Sequence, residues 1–558
     1  MTALLPLLLL TVVAPQHAEP QAVVPAEFRA PAEMTAMPLE LTEGWAILAS
    51  GRVKPLDSFA RETMVSVSGK SEVAGLSPLD VFWGCHFDWP NFSNAPIVKI
   101  TSSPLRELLD IDGGARRVSY NQLIAHPEFQ GLVEAAIAAE AAGEPGSPIQ
   151  RDASDVYGRL ERLAEIADGH SLLMVPSPDQ EGAWRWPASL RDSPHEIELA
   201  VFGGFGKLSD AYRAYNADAF RSAALQMTGQ LREVAPLQYP DQVKLDRELF
   251  YNNLNPFSWA WKLYLVGFFF IATAGAIGRK IGTVGIVVGL VFHTVGLALR
   301  WQIAGRAPVS DMYESLIFMG WGAIVIGLGL EFFSRKGYFG IASGLMGFLA
   351  LAFAEHLPIN SAINPLVPVL ANTSWLAIHV MTIMLSYSAF ALAMGMGHVM
   401  LFLQFFKPGR TKQLRTLSSL LYKSLQIGVF FLAAGIAFGA IWANESWGRY
   451  WGWDPKETWS LITFFVYMIV VHARYAGWVS HFGLAVSSIA SFLAVVMTYY
   501  GVNFILGSGL HSYGFSEGGL LWFLVYLGVE LLVIFASLWR YKWGIRANRL
   551  QRRAQQVA

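Results

Sequence analysis

Two patterns of apolar and polar positions divide the chain. Residues 20–256 mix the two freely and hold no apolar run long enough to cross a bilayer, which takes about 20 residues. Within them, residues 152–168 and 206–235 place apolar side chains at three-to-four spacing, the period of an amphipathic helix. Asp152 and Ser154 are the candidate N-caps of the first, and AAGEPGSP at 141–148 reads as a surface loop. From Phe257 onward the pattern becomes long apolar runs with short polar breaks. It predicts nine spans, at 257–278, 281–299, 315–333, 337–354, 375–405, 424–443, 458–478, 482–506 and 519–539. The fifth exceeds what a bilayer needs and should tilt or protrude. Residues 3–15 (ALLPLLLLTVVAP) are too short for a span and suit a signal-peptide core.

The predicted fold class is therefore mainly α: a polytopic α-helical membrane protein of about nine spans with an N-terminal exported soluble domain, α-rich or mixed. The expected divisions are a signal-like segment at 1–19, the exported domain at 20–256, the transmembrane domain at 257–539 and a basic tail at 540–558.

Composition sharpens this picture. Charged residues make up 15% of the 558, hydrophobics 53%, and mean hydropathy is +0.38, which excludes a disordered or purely soluble chain. Charge is also segregated, with net −13 over residues 1–256 and net +12 over 257–558. Sixteen Lys and Arg fall on one side of the predicted spans and five on the other. The richer side, with Arg279, Lys280, Arg335, Lys336, Arg474 and the tail, is expected to be cytoplasmic. Nine spans then put the N-terminal domain outside and the C-terminus inside an inner (cytoplasmic) membrane. No nucleic-acid partner is expected. Cys85 is the only cysteine, so no disulfide, CxxC pair or CxxCH haem-attachment site exists within the chain.

The candidate chemistry gathers at the outer ends of the spans. Residues 447–459, WGRYWGWDPKETW, pack Trp447, Trp451, Trp453, Trp459 and Tyr450 into one short loop with two glycines. An aromatic belt would spread its tryptophans over many span ends; this concentration reads as a platform for a large flat π-system. His379, near the start of span five, and His511, after span eight, lie on the same face and could supply two axial imidazoles to one haem iron. Arg300, Arg306 and Arg449 are on that face to pair propionates. His472 lies within span seven, toward its other end, where an ionisable group is a functional candidate or a hydrogen-bonded imidazole. His293 is mismatched to it in depth, and His398 is the nearer in-chain partner. Glu530 lies mid-span and either pairs with a polar neighbour or marks a proton path. Cys85-His86 is two residues of a metal site and reads as a packed loop. Asp311 is a candidate cap for span three.

The stretch WGRYWGWDPKETWSLITFFVYMIVVHAR resembles the tryptophan-rich WWD signature of the CcsA family, the haem-handling subunits of the CcsBA (System II) cytochrome c synthase. GLALRWQIAGRAPVSDMYESLIFMGW, LVPVLANTSWLAIHVMTIMLSYSAF and GVNFILGSGLHSYGF resemble further family segments, in family order, over about residues 285–515. The resemblance implies that the loop with Trp447, Trp451, Trp453 and Asp454 holds haem b, with His379 and His511 as axial ligands. It implies a second haem position inside the membrane at His472. Haem would then meet the CxxCH of an exported apocytochrome c, whose thiols add across the vinyl groups. In the family the partner of the in-membrane histidine lies on a CcsB component. Here no full span precedes residue 257, so a separate CcsB/ResB-type membrane protein supplies it, or His398 substitutes. A thiol reductant protein is the further expected partner, because one cysteine does not suit this chain to reduce CxxCH. ILASGRVKPLDSFARETM and LLMVPSPDQEGAWRWPASL faintly resemble the exported portion of fused CcsBA proteins. The expected activity is cytochrome c synthase (haem ligase) action with the partner. The competing readings are a CcmC-like haem chaperone and a non-haem transporter that uses the aromatic loop as a gate.

Overall fold

The computed structural model describes residues 28–557 other than 29, 74, 112–114, 358, 367–369, 371–373, 408–410 and 507–518. The chain divides into two compact units, Met1–Ala49 with Val53–Leu245 and Ser50–Arg52 with Asp246–Ala558.

The first unit is α-rich. Its longer helices, Leu56–Ser68, Pro78–Phe87, Pro127–Ala141, Pro148–Asp168, Glu196–Arg213 and Ala217–Val234, surround a core that includes Trp45, Phe82, Trp83, Leu160, Leu208 and Met227. Strand structure among the described residues is confined to two-stranded pairs, such as Val98–Lys99 with Arg117–Val118, in which Val98 opposes Val118. The amphipathic segment expected at 152–168 begins earlier. Ser147, not Asp152 or Ser154, is its N-cap: Ser147 and Gln150 form a reciprocal capping box, and Pro148 supplies the first helical residue. The segment expected as one helix over 206–235 is two, because Asn216 caps a second helix by accepting a hydrogen bond from Ala219 N.

Cys85 and His86 lie on the helix Pro78–Phe87 rather than in a loop. Cys85 is fully buried, and burial pushes its thiol up to about 12. His86 donates from Nδ1 to Ile166 O at 2.8 Å, and burial holds its pKa below the usual histidine range.

Among the described residues of the second unit, nine helices occupy the nine expected positions: α1 Pro256–Thr273, α2 Gly275–Ala304, α3 Met312–Ser334, α4 Tyr338–His356, α5 Ser374–Phe406, α6 Thr411–Trp447, α7 Pro455–Tyr475, α8 His481–Leu506 and α9 Gly519–Val557. Seven of them, α2–α6, α8 and residues Phe523–Trp543 of α9, are long and apolar enough to cross a membrane. Helices α1 and α7 fall short of that measure. Helix α1 has only 18 residues and carries Lys262, and α7 carries Lys456, Glu457, His472 and Arg474. Both are nonetheless packed into the bundle, α1 against α2 and α4, α7 against α6 and α8.

The crossing of α1 and α2 shows how closely the backbones meet. A Cβ on Gly282 would stand 2.5 Å from Gly267 O, and one on Gly267 would stand 2.8 Å from Gly282 O, so only glycine fits there. Helices α5 and α7 meet through Phe390 and Tyr467, stacked with ring centroids 3.5 Å apart. The last ten residues of α8, Met497–Leu506, widen into π-helical turns.

One buried ion cluster ties α2 to α3. Arg300 Nε donates to Glu314 Oε1 at 3.0 Å, and Arg306 Nη1 donates to Glu314 Oε2 at 2.7 Å. Arg300 and Glu314 are both fully buried. The remaining guanidinium donors reach main-chain oxygens: Arg300 those of Ser361 and Ala362, Arg306 that of Asn364. Asp311 caps α3, as expected, by accepting from Glu314 N at 2.7 Å.

Two outcomes test this packing. The Cys85 thiol should resist maleimide in the native protein and react fully once the chain is unfolded in denaturant; rapid native labelling would contradict its burial. Glu314→Ala leaves two arginines around an emptied carboxylate position and should cost about 3–5 kcal/mol of stability. Exposed Glu445→Ala should stay within about 0.5 kcal/mol. Thermal unfolding in detergent compares them, and equal midpoints would show that the cluster does not hold the fold.

Candidate functional site

The ends of α5, α6, α7 and α8, with the start of α3, surround a cavity of about 630 Å³. That volume lies within the range of small-molecule sites. Its lining includes His379, Trp451, Tyr450, Lys456, Tyr499 and Asn503, together with aliphatic side chains of α5 and α6.

His379 is the best-defined member. Its Nδ1 lies 2.8 Å from Gly435 O. A carbonyl only accepts, so Nδ1 carries a proton. The ring lies parallel to the indole of Trp442, with centroids 5.9 Å apart and planes at 9°. Trp442 is buried, donates from Nε1 to Leu370 O at 3.2 Å, and meets Trp447 edge-on at 4.6 Å. Gly439, one turn along α6 from Gly435, is required by this arrangement: a Cβ there would lie 2.5 Å from His379 Cε1.

The tryptophan-rich loop is shaped by its carboxylates. Asp454 N-caps α7 by accepting from Glu457 N at 2.8 Å, and Glu457 Oε2 accepts from Gly452 N at 2.6 Å and Asp454 N at 3.4 Å. This capping box reels residues 452–454 onto the start of α7. Trp453 sits at φ 58°, a left-handed conformation rare for a bulky residue, and is 69% exposed. Trp451 packs edge-on to it at 5.7 Å, and its Nε1 is buried with no acceptor among the described residues. On the opposite wall Tyr499 OH donates to Met312 O at 2.8 Å, and Lys456 Nζ donates to Asn503 Oδ1 at 3.0 Å. Tyr499, Asn503 and Phe504 come from the π-helical end of α8, whose wider turn marks many functional sites.

The structure thus brings His379, Trp451 and, through Trp442, Trp447 to one place. His511 lies outside the described residues. Asp454 spends a carboxylate oxygen on capping. Arg300 and Arg306 are corrected as propionate partners, because their guanidinium groups are committed to Glu314 and main-chain oxygens. Arg449 lies over Trp447, 5.8 Å from the ring centroid, and 3.6 Å from Glu457 Oε1.

The other histidines are elsewhere. His472 is exposed on α7, with Nδ1 on Met468 O at 2.8 Å. His398 has Nδ1 on Met394 O at 3.0 Å and Nε2 on Glu530 Oε2 at 2.9 Å. Both of its nitrogens are therefore engaged, which removes it as a substitute ligand and gives Glu530 its polar neighbour. His293 is buried between Tyr264 OH and Ile317 O.

Sequence reasoning missed Trp442, Lys456, Tyr499 and Asn503. Trp442 had a signal in its place one turn before Trp447, and Lys456 in its place within DPKE. Tyr499 and Asn503 had none, because a π-helical turn leaves no mark in apolar spacing.

Residues 309–511 match the family model described as cytochrome C assembly protein. Protein NrfI of Wolinella succinogenes is 31% identical over 505 residues, covering 85% of this chain and 54% of that protein. The chain thus spans about half the length of that relative. The match takes in more than the second unit alone can supply, so it runs through part of the first unit as well. Cytochrome c biogenesis protein CcsA of Prochlorococcus marinus (strain NATL2A) is 34% identical over 281 residues, 44% of this chain and 88% of that protein. CcsA of Trieres chinensis is 34% identical over 278 residues, 42% of this chain and 86% of that protein. With its helical bundle, its tryptophan-rich loop and this coverage, the chain belongs to the CcsA family of cytochrome c biogenesis proteins.

Proposed function

We propose that the chain is the haem-handling component of a cytochrome c synthase: it binds haem b and presents it at this cavity for thioether attachment to the CxxCH of an apocytochrome c. The observation that carries the reading is His379. Its tautomer is fixed by Gly435 O and its ring by Trp442, and it stands in the wall of a cavity shared with the tryptophan-rich loop. A hydrogen-bonded, stacked imidazole of defined tautomer is how proteins prepare a ligand for a metal. His511 is the second axial ligand in this reading.

Haem is the substrate, and the bond-forming chemistry is its own. Each thiol S–H adds across a vinyl C=C: sulfur bonds to the inner carbon, the proton goes to the outer carbon, and no net electron transfer occurs. The protein's part is to hold the macrocycle still and keep bulk water from its face. Trp451 in the cavity lining, with Trp442 packed against His379 and Trp447 against Trp442, supports that role. The lysine and arginine bias supports a cavity on the periplasmic side of the inner membrane, with the C-terminus in the cytoplasm.

His472 supports a CcsB/ResB-type partner. It lies on a stripe of α7 with Ile462, Phe465 and Ile469, which are 38%, 56% and 68% exposed. The spacing of three, four and three makes one helical seam. An imidazole presented to hydrocarbon is costly, and a partner helix with its own ligand would remove that cost. The synthase therefore works as a complex, with cysteine reduction left to a separate thiol reductant protein.

Absorption of the detergent-purified protein, co-expressed with the partner, tests the site. The wild type should show low-spin Soret and α bands, and His379→Ala and His511→Ala should each lose most of them. Gly439→Ala, which drives a methyl into the His379 ring, should lower haem occupancy several-fold while the size-exclusion profile is unchanged. A wild type without haem, or a Gly439→Ala spectrum identical to it, would sink the assignment of His379.

A further inference from the structure

The first unit contains a group of charges that the haem reading leaves unused. Residues 1–256 carry net −13, yet four cations gather here on one short strand pair and the helix beside it. In the pair Val98–Lys99 with Arg117–Val118, Lys99 stands directly opposite Arg117, and Arg116 O accepts from Ile100 N at 3.1 Å at the next rung. Arg159 joins them from the helix Pro148–Asp168, where its Nη1 donates to Lys99 O. Like charges directly opposite on paired strands repel. Burial, and then Arg159, Arg117 and Arg116, hold the Lys99 ammonium below the usual lysine range. The acid that bears on Arg159 is Asp155, exposed one turn earlier on the same helix, and Arg162 opposes it. Among the described residues, none of Lys99, Arg116, Arg117 and Arg159 makes an ion pair.

The fold holds these cations together instead of letting them spread. Helix Leu56–Ser68 ends at Ser68, whose carbonyl accepts from Arg117 Nε at 2.9 Å. Gly69 follows at φ 74°, and the Lys99 side chain lies across it: a Cβ there would stand 2.7 Å from Lys99 Cδ and 2.9 Å from its Nζ. Glycine is thus what leaves a seat for the ammonium. The carbonyls at a helix C-terminus favour a nearby cation, but they amount to about half an elementary charge and cannot balance four. Arg117 and Arg159 each spend one donor on a main-chain carbonyl and keep the rest of a planar fork. Two such forks beside an ammonium, with no internal acid to satisfy them, suit a compact anion with several acceptor oxygens. An extended acidic surface would instead be met by cations spread along a face.

We propose that Lys99, Arg116, Arg117 and Arg159 form a phosphate-binding site on the first unit, for a phosphate group that is free in solution or carried by a lipid headgroup. The site stands independently of the haem reading. It also links binding to stability, because an anion seated there removes the repulsion between Lys99 and Arg117 across the strand pair.

The test is equilibrium dialysis of the purified full-length protein, in a neutral detergent and at constant ionic strength, against radiolabelled inorganic phosphate. Wild type should bind it saturably. Lys99→Met and Arg116→Gln should each weaken binding about tenfold, the effect of losing one charge-assisted hydrogen bond. Lys207→Met removes an exposed cation elsewhere in the unit and should bind as the wild type does. Thermal unfolding separates the site from a group of cations that serves the helix end alone. In chloride, Lys99→Met should unfold at the wild-type midpoint or above it, because a repelled charge has gone; a lower midpoint would overturn the place of Lys99 in the site. Added phosphate should raise the wild-type midpoint more than that of Lys99→Met. Glycerophosphoglycerol, the soluble headgroup of phosphatidylglycerol, then identifies the source. Displacement of the label assigns the site to a lipid phosphate, and no displacement assigns it to free phosphate. A wild type without saturable binding overturns the proposal, as do Lys99→Met and Arg116→Gln proteins that bind phosphate as the wild type does.

Discussion

Glu314 between Arg300 and Arg306 is the constraint on which the site end of the bundle depends. A single carboxylate accepts from both guanidinium groups, at 3.0 and 2.7 Å, and from Ser310 N at 2.9 Å. Helix α2 ends here, the 305–311 turn is drawn in, α3 is capped by Asp311, and the segment 359–366 is hung from arginine donors through its carbonyls. Such a cluster is weak as a source of net stability, since desolvation offsets much of its attraction. Its value is specificity of geometry. Its guanidinium donors meet directional partners on the loops that wall the cavity, which holds those loops in place.

The rest of the cavity uses different physics on each side. The α5–α6 wall is aromatic and aliphatic, with His379 held against Trp442 and a glycine opposite its ring. The α7 wall is a loop tied down by a capping box, which leaves Trp453 exposed in a left-handed conformation. Strain of that kind persists only where neighbours over-determine it, and here the Glu457 bonds to Gly452 N and Asp454 N do so. The α8 wall is the π-helical end that turns Tyr499 and Asn503 inward. The cavity is thus lined by a hydrogen-bonded, stacked histidine, an aromatic loop tied to α7, and hydroxyl and amide groups.

How much of this was readable from sequence depended on the range of the interaction. The helices followed from long apolar runs, because a run of that length has few other fates. Asp311 as a cap was also legible, since it rests on residues close together in the chain. What failed was long-range partnering. Arg300 and Arg306 look free in sequence, and the carboxylate that claims them lies at Glu314, across a turn that no periodicity describes. Helix starts were misread for a related reason. Ser147 and Pro148 outrank Asp152 as a helix start only because Gln150 completes the box, and Asn216 splits what spacing alone joins into one helix. In the first unit, apolar periodicity located the helices without revealing the packing that buries Cys85 and His86 on one of them.

Two histidines of the bundle, His398 and His472, show how the same residue type comes to opposite ends. His398 on α5 meets Glu530 on α9, a partner 132 residues away. Helix α9 is otherwise largely exposed, with Leu524, Val529, Leu532 and Phe535 all about half exposed or more, so it has little apolar burial to hold it. Its attachment therefore falls to a few directed contacts: Glu530 to His398, Tyr526 OH to Met394 Sδ at 3.4 Å, and Tyr541 stacked on Phe482 at 4.3 Å. With both ring nitrogens spent in this way, His398 serves the fold. His472 carries its proton on Nδ1, bonded within its own helix turn, and turns outward along an apolar seam. An inward-facing histidine with a carboxylate partner is complete within this chain. An outward-facing one, bonded at Nδ1 within its own helix turn, leaves the far edge of its ring on an exposed apolar seam, and that asymmetry is what supports the proposed partner helix on α7.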